Sequence, residues 1–274
     1  MNESSADSAE ISLQAIAEIA DHFESQAKLE NGAATAFTWQ SASQTDIGRV
    51  RHINEDAFLD SKEQRLWVVA DGMGGQSRGD YASGMVVSQL GAFPRQNSAL
   101  ANLQDLESRL HIAHEKCRTA FRRHRPGTTV AALHAHGNYC FLLWAGDSRI
   151  YRLRDGELEQ LTLDHSRAQE KFSRGELTRE EMDSHRSAHV LTRSVGGHKN
   201  LRLDMSFVAL QDGDRYLLCS DGLYNPVAFG DIRSSLGQES AAVACKSLVD
   251  LALKGGGKDN ITVIVVDALL PEES

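Results

Sequence analysis

Basic residues are in short supply: 29 Lys and Arg face 38 Asp and Glu over 274 residues, a formal net charge of −9. A nucleic-acid binder needs a basic footprint, so that class is set aside. The excess acid is spread thinly along the chain and reads as a solubility feature. Cysteine is scarce too. Cys117, Cys140, Cys219 and Cys245 stand far apart in apolar settings, with no CxxC pair, and read as reduced core thiols rather than zinc ligands or disulfides. Reduced thiols imply a reducing compartment. No apolar run approaches bilayer length, and the opening MNESSADSAE is acidic, unlike a signal peptide. These absences predict a soluble, cytoplasmic protein without a membrane or nucleic-acid partner, and a monomer is expected. Repeats and low-complexity tracts are missing as well.

Several motifs fail on inspection. Gly72, Gly74 and Gly75 do not complete GxGxxG, and GGGKDN lacks the GK[ST] of a nucleotide-binding loop. His185 and His189 have the spacing of a zinc pair, but Arg186 stands where a metalloprotease needs Glu, so both read as surface histidines. RRHR, residues 122–125, reads as a solvated helix end suited to the macrodipole, with recruitment of acidic or phosphorylated partners as the alternative.

What is present divides at residue 37. SLQAIAEIADHFES places Leu13, Ile16, Ala20 and Phe23 on one helical face, and ENGAATA follows as a linker. That helix either packs on its own domain or docks a partner. Residues 38–270 read as one domain in which strands and helices come as β runs and then α runs. RLWVVA, TVAALHAH, YCFLLWA, MSFVAL, DRYLLCS and NITVIVVDAL are strands. The Gly-Asn break between TVAALHAH and YCFLLWA and the Asp-Gly break within RIYRLRDGELEQL are hairpin turns, so this part is antiparallel. Helices are expected over 79–92, over QDLESRLHIAHEKCRTAFRRH with Leu106, Leu110, Ala113, Cys117 and Phe121 on one face, and near ESAAVACKSLVDLAL, ending at Gly255. A polar helical stretch, AQEKFSRGELTREEMDSH, interrupts the strands. Antiparallel sheet covered by helices makes an α+β layered domain.

Four strands share one peculiarity: an acid at the end, beside small residues. Asp71 follows LWVVA, Asp147 follows FLLWAG, Asp221 follows RYLLCS, and Asp259 precedes NITVIVV. One such acid is ordinary turn chemistry. Four gathered at sheet ends would repel one another and cost several kcal/mol if left unpaired. Cations remove that cost, and oxygen-only donors select hard ions, Mg²⁺ or Mn²⁺. Two such ions roughly 3.5–4 Å apart, bridged by a carboxylate and a water, form a hydrolytic device. Glycine beside Asp71, Asp147 and Asp221, and two positions before Asp259, leaves room for ions, waters and a phosphate. QTDIGRVRHINEDAF adds Asp46, Arg51, Glu55 and Asp56, and an arginine there can clamp phosphate oxygens in bidentate fashion.

In order along the chain, TDIGRVRHINEDA, VVADGMGG, GTTVAAL, WAGDSRIYRLRDGELEQLTLDHS, LTRSVGG, LLCSDGLYN and KDNITVIVV resemble the metal-dependent serine/threonine protein phosphatases of type 2C (PPM), bacterial type, over residues 41–267. The resemblance implies an αββα sandwich of two antiparallel sheets flanked by helices. It implies Mn²⁺- or Mg²⁺-dependent hydrolysis of phosphoserine and phosphothreonine on proteins, opposing a Ser/Thr kinase. By position, Asp71 is expected to bridge two metals, with the Gly72 carbonyl as a further ligand and Asp221 and Asp259 completing one shell. Glu55 is expected to hold a metal-bound water with Asp56 in support, and Asp46 and Asn260 stand behind them. Arg51 is expected to bind the phosphoryl group. Asp147 with Asp221 matches a third, weaker metal site. Residues 166–190 correspond to the family's flap beside the substrate entrance. Met73 stands where eukaryotic members carry a proposed proton-donating His, and Gln76 where bacterial ones often carry His, so the leaving group's proton is assigned to water at the cations. The competing expectation is a non-catalytic pseudophosphatase that binds phosphoproteins; the intact aspartates weigh against it.

Overall fold

The computed structural model describes Glu18 and residues 37–74, 78–121 and 125–271. The expected helix carrying Leu13, Ile16, Ala20 and Phe23, the linker after it, Gly75, Gln76 and most of RRHR lie outside the described residues.

The first half of the domain runs β1 (Thr38–Asp46), β2 (Asp56–Ser61), β3 (Leu66–Met73), α1 (Gly79–Gly91), α2 (Ala99–Ala120), β4 (Gly127–Thr128), β5 (Val130–His136) and β6 (Tyr139–Ala145). The second half runs β7 (Arg149–Arg154), β8 (Glu157–Gln160), α3 (Arg167–Ser173), α4 (Arg179–Asp183), β9 (Asp204–Ala209) and β10 (Asp214–Cys219). It closes with α5 (Asp221–Tyr224), α6 (Phe229–Leu236), α7 (Ala241–Lys254) and β11 (Ile261–Leu269). One sheet has the order β1-β11-β10-β7-β8; the other has β2-β3-β5-β6-β9, with β4 pairing β3. Every pairing within them is antiparallel.

Unbroken apolar runs become strands covered on both faces. In β3, Trp67 and Val69 point between the sheets, where they meet Leu133, Leu142, Tyr216, Leu218, Ile264 and Val266. Leu66, Val68 and Ala70 point the other way, onto the Val86, Leu90, Leu106 and Leu110 faces of α1 and α2. In β11, Ile264 and Val266 face the inter-sheet core, while Ile261, Val263 and Val265 pack under α6 and α7. Period-two alternation therefore sorts one strand's side chains into two cores, and the layers stack α-β-β-α, as the sequence predicts.

Helix ends follow capping chemistry. Ser98 accepts the Ala101 amide and opens α2 five residues earlier than the apolar spacing suggests. Phe121, placed on the helical stripe by its spacing, instead lies past the helix end in extended backbone, edge-on to Tyr81. The polar helical stretch is two short helices broken at Gly175, whose φ of 72° is the left-handed conformation glycine tolerates. Gly255 closes α7 with φ −69°, not left-handed; the reversal falls on Gly256 and Gly257. All four cysteines are buried and unbridged, and burial pushes the Cys117 thiol up to about 11. Among the described residues, no helix is long and apolar enough to cross a membrane.

Candidate metal centre

The register of β2 on β3 sets Asp56 opposite Asp71. The Asp71 backbone is fixed: its N–H donates to Thr129 Oγ1, and its carbonyl accepts from Thr129 N and Thr128 Oγ1, each at 2.9 Å. At Gly72 the chain is too crowded for a side chain, since a Cβ would lie 2.3 Å from Gly79 O and 2.4 Å from Glu55 O. Gly79 opens α1, and its amide donates to Glu55 Oε1 at 2.9 Å, a helix N-terminus holding a carboxylate.

Asp56 ties the sheets together. Its Oδ2 accepts from Ser220 Oγ at 2.8 Å and Thr262 Oγ1 at 2.7 Å, both from the opposite sheet. Ser220 precedes Asp221 at the start of α5, and Thr262 follows Asp259 and Asn260. Buried Asn260 donates from Nδ2 to Ile47 O and Ile53 O, at 2.9 and 3.0 Å, and accepts Glu55 N at 2.8 Å. Residues far apart in sequence are thus locked into one floor.

That floor is strongly acidic. Burial first, and then Asp56, Asp221, Asp147 and Asp259, push the Asp71 carboxyl well above its usual range. Burial raises Asp56 to about 7 against the hydrogen bonds from Thr262 and Ser220, and it raises Asp147 to about 7 with help from Asp221. Asp221 is raised by burial and Asp259 and relieved in part by His189, Asn225 and Arg51. Among the described residues no donor reaches the Asp71 carboxylate. Unbalanced oxygen donors held this rigidly fit hard divalent cations.

Arg51 Nη2 lies 2.7 Å from Asp259 Oδ2, with the Arg51 side chain 51% exposed at the mouth of the centre. Asp46 ends β1, and its Oδ1 accepts the Gly48 amide at 2.7 Å, which shapes the loop carrying Arg51. Asp147 sits in the β6–β7 turn, next to Ser148, whose Oγ bonds Thr129 Oγ1 at 2.6 Å. Among the described residues, one group of three potential donors, Asp147, His189 and Asp221, has ligand atoms all within 4.8 Å of one another. His189, read from its spacing as a surface histidine, therefore stands beside the acids. Beyond it a cleft of about 990 Å³ opens, lined among others by Arg149, Gln169, Arg179, Tyr224 and Phe229.

The profile described as Protein phosphatase 2C matches residues 45–248. The chain belongs to the protein phosphatase 2C family. It is 36% identical over 232 residues to the serine/threonine protein phosphatase PstP of Mycobacterium tuberculosis, covering 83% of this chain and 45% of PstP; it spans under half that relative's length. It aligns at a TM-score of 0.78 and 40% identity with PppA, a key regulatory component of T6SS in Pseudomonas aeruginosa, over 84% of this chain and 98% of that one. The catalytic domain of PstP in complex with two manganese ions matches at a TM-score of 0.76 and 35% identity, over 85% of this chain and all (100%) of that domain. The family assignment and the αββα layering read from the sequence agree with these neighbours.

Proposed function

We propose that residues 38–270 are a catalytic domain that hydrolyses phosphoserine and phosphothreonine on proteins with Mn²⁺ or Mg²⁺, and that residues 1–37 are an extension to it. The observation carrying this reading is the convergence of Asp56, Asp71, Asp147, Asp221 and Asp259, from both sheets, with Arg51 as the charged partner at the rim.

In this reading Asp71, Asp221, Asp259 and the Gly72 carbonyl hold two ions. Bound there, a divalent pair supplies Lewis acidity that lowers the pKa of water and neutralises phosphoryl charge. Glu55, Asp56 and Asn260 keep the ligands in place: Asn260 locks the loop backbone, and Asp56 ties β2 to the ends of β10 and β11. Arg51, half exposed, is free to exchange Asp259 for phosphoryl oxygens, a charge-assisted contact its planar fork favours. The cleft under the flap seats residues flanking the phosphorylated side chain. A cognate Ser/Thr kinase supplies the substrate, and the protein acts as a cytoplasmic monomer.

Hydrolysis of p-nitrophenyl phosphate and of a phosphothreonine peptide is expected with Mn²⁺ and not with EDTA. Asp71→Asn is expected to abolish it with circular dichroism unchanged. Turnover that survives EDTA, or an Asp71→Asn protein as active as wild type, sinks the assignment. A wild type inert with every divalent ion leaves the phosphoprotein-binding alternative.

A further inference from the structure

The domain begins and ends at one corner. Thr38 pairs with Leu269 across β1 and β11. Phe37 and Leu270, just outside that pair, line a pocket of about 310 Å³ with Asn138, Tyr139 and Leu210. Leu270 is 37% exposed there. Two buried polar atoms at this corner have no hydrogen-bond partner among the described residues: Asn138 Oδ1 in the pocket wall and Trp39 Nε1 beside Phe37. The Trp39 ring lies 6.5 Å from that of Phe37 and 5.1 Å from that of Trp67. A donor and an acceptor shut away from water are costly to leave unpaired, and both flank the point where residues 1–36 join the domain.

Charge points to the same occupant. Burial, and then Arg95, lower the Arg65 guanidinium below its usual range, and among the described residues neither arginine forms an ion pair. Arg65 O accepts Ala135 N at 2.9 Å, near the end of β5, whose turn into β6 holds Asn138. Because β3, β5 and β6 are neighbours, strand spacing sets the arginine and the pocket about 10 Å apart along one sheet end. Residues 1–36 hold seven acids and one lysine, Lys28. Their stripe of Leu13, Ile16, Ala20 and Phe23 is an apolar face, and Glu18 is helical and exposed. A helix over 12–24 is about 20 Å long, enough to span both features. A flexible linker over 24–36 averages about 20 Å end to end, which holds the segment near the corner at millimolar effective concentration.

We propose that residues 12–24 dock as a helix on this corner of their own domain, with the apolar face over the Phe37–Leu270 pocket and the segment's acids set toward Arg65 and Arg95. The proposal stands apart from the phosphatase reading. β1 runs nine residues from the corner to Asp46, about 30 Å, so the docked helix leaves the metal centre open. Its work is to cover the end of the sandwich, not to block the acids.

Hydrogen exchange of the full chain, read by mass spectrometry, tests this without reference to turnover. A helix this short is marginal alone in water, so its amides are protected only where a surface holds it. Amides 12–24 are expected to exchange about tenfold slower or more in the wild type than in a synthetic peptide of residues 1–36. Phe23→Glu and Leu270→Lys are each expected to end that protection, and Arg95→Glu to reduce it several-fold at low salt. Leu270 follows the last strand and Arg95 is exposed, so neither change threatens the fold. Wild-type amides as fast as the peptide's overturn the proposal, as does protection unchanged by Leu270→Lys, or by Arg95→Glu at low salt. Protection that fades on dilution through the micromolar range places the helix on a second copy of the chain and overturns it too.

Discussion

Replacing Asp147 by Asn should make the metal-free protein more stable, although it removes a residue from the centre. Burial, then Asp221 and Asp164, lift this carboxyl from 3.8 to about 7. At roughly 1.4 kcal/mol for each tenfold change in ionisation, holding it charged in the fold costs about 4 kcal/mol. The sign follows from proton counting. Between pH 3.8 and 7 the folded chain keeps a proton that the unfolded chain gives up, so stability falls as pH rises through that window, and the cost is complete above it. Asparagine has nearly the same shape and cannot ionise. In EDTA at pH 8, Asp147→Asn should gain about 2–4 kcal/mol after local relaxation, or roughly 5–15 °C in Tm for a domain of this size. The gain should fall by more than half at pH 5, where much of the cost has gone. Excess manganese should reverse the order, because wild type then gains binding free energy that the variant lacks. Calorimetric melts of both proteins at pH 5 and 8, with EDTA and with Mn²⁺, test each arm. Destabilisation by Asp147→Asn at pH 8 in EDTA, or a gain of equal size at both pH values, would refute the electrostatic account.

Arg51→Ala should lower kcat/KM on phosphopeptides about 10- to 100-fold by removing a charge-assisted contact, with Arg51→Lys recovering only part; steady-state kinetics decides. Gly222→Ala places a Cβ 1.9 Å from the Asn260 carbonyl oxygen, so it should cost roughly 3 kcal/mol or more in urea unfolding and weaken manganese binding by displacing Asp221. Burial keeps His134 neutral and lowers it to about 3, so its contribution is whole above pH 6.5 and is lost as pH falls toward 3. Manganese-free melts of His134→Gln in the Asp147→Asn background should show a flatter acid limb than that background alone.

The sequence carried much of this architecture where a local pattern existed. LWVVA and NITVIVV announced strands buried on both sides, and the acids ending them were visible as interruptions. β1 and β2 were not foreseen, because TWQSASQTD and DAFLDS are half-buried edge strands whose polar residues dilute any apolar pattern. The short helices α5 and α6 escaped for a similar reason: four and eight residues give periodicity little to act on. Ser220 and Thr262 were missed as supports of Asp56, since those bonds join residues 164 and 206 positions apart, and only the stacking of the sheets brings them together. His189 is a surface histidine, as its spacing was read, but it lies past the helix end at Asp183, and its place 3.8 Å from Asp221 was not legible because only the folded base of the flap brings the two together.

All nine residues of β1 pair with β11, which also borders β10. An interior strand of that sheet is therefore the last of the domain to be synthesised. A chain still short of Ile261 on the ribosome has β1 with nothing to pair against, and its Asp56 lacks the Thr262 hydroxyl that crosses between the sheets. Whatever chemistry the acids perform must wait for translation to pass this strand, so a fragment clipped before it should be inert rather than unregulated.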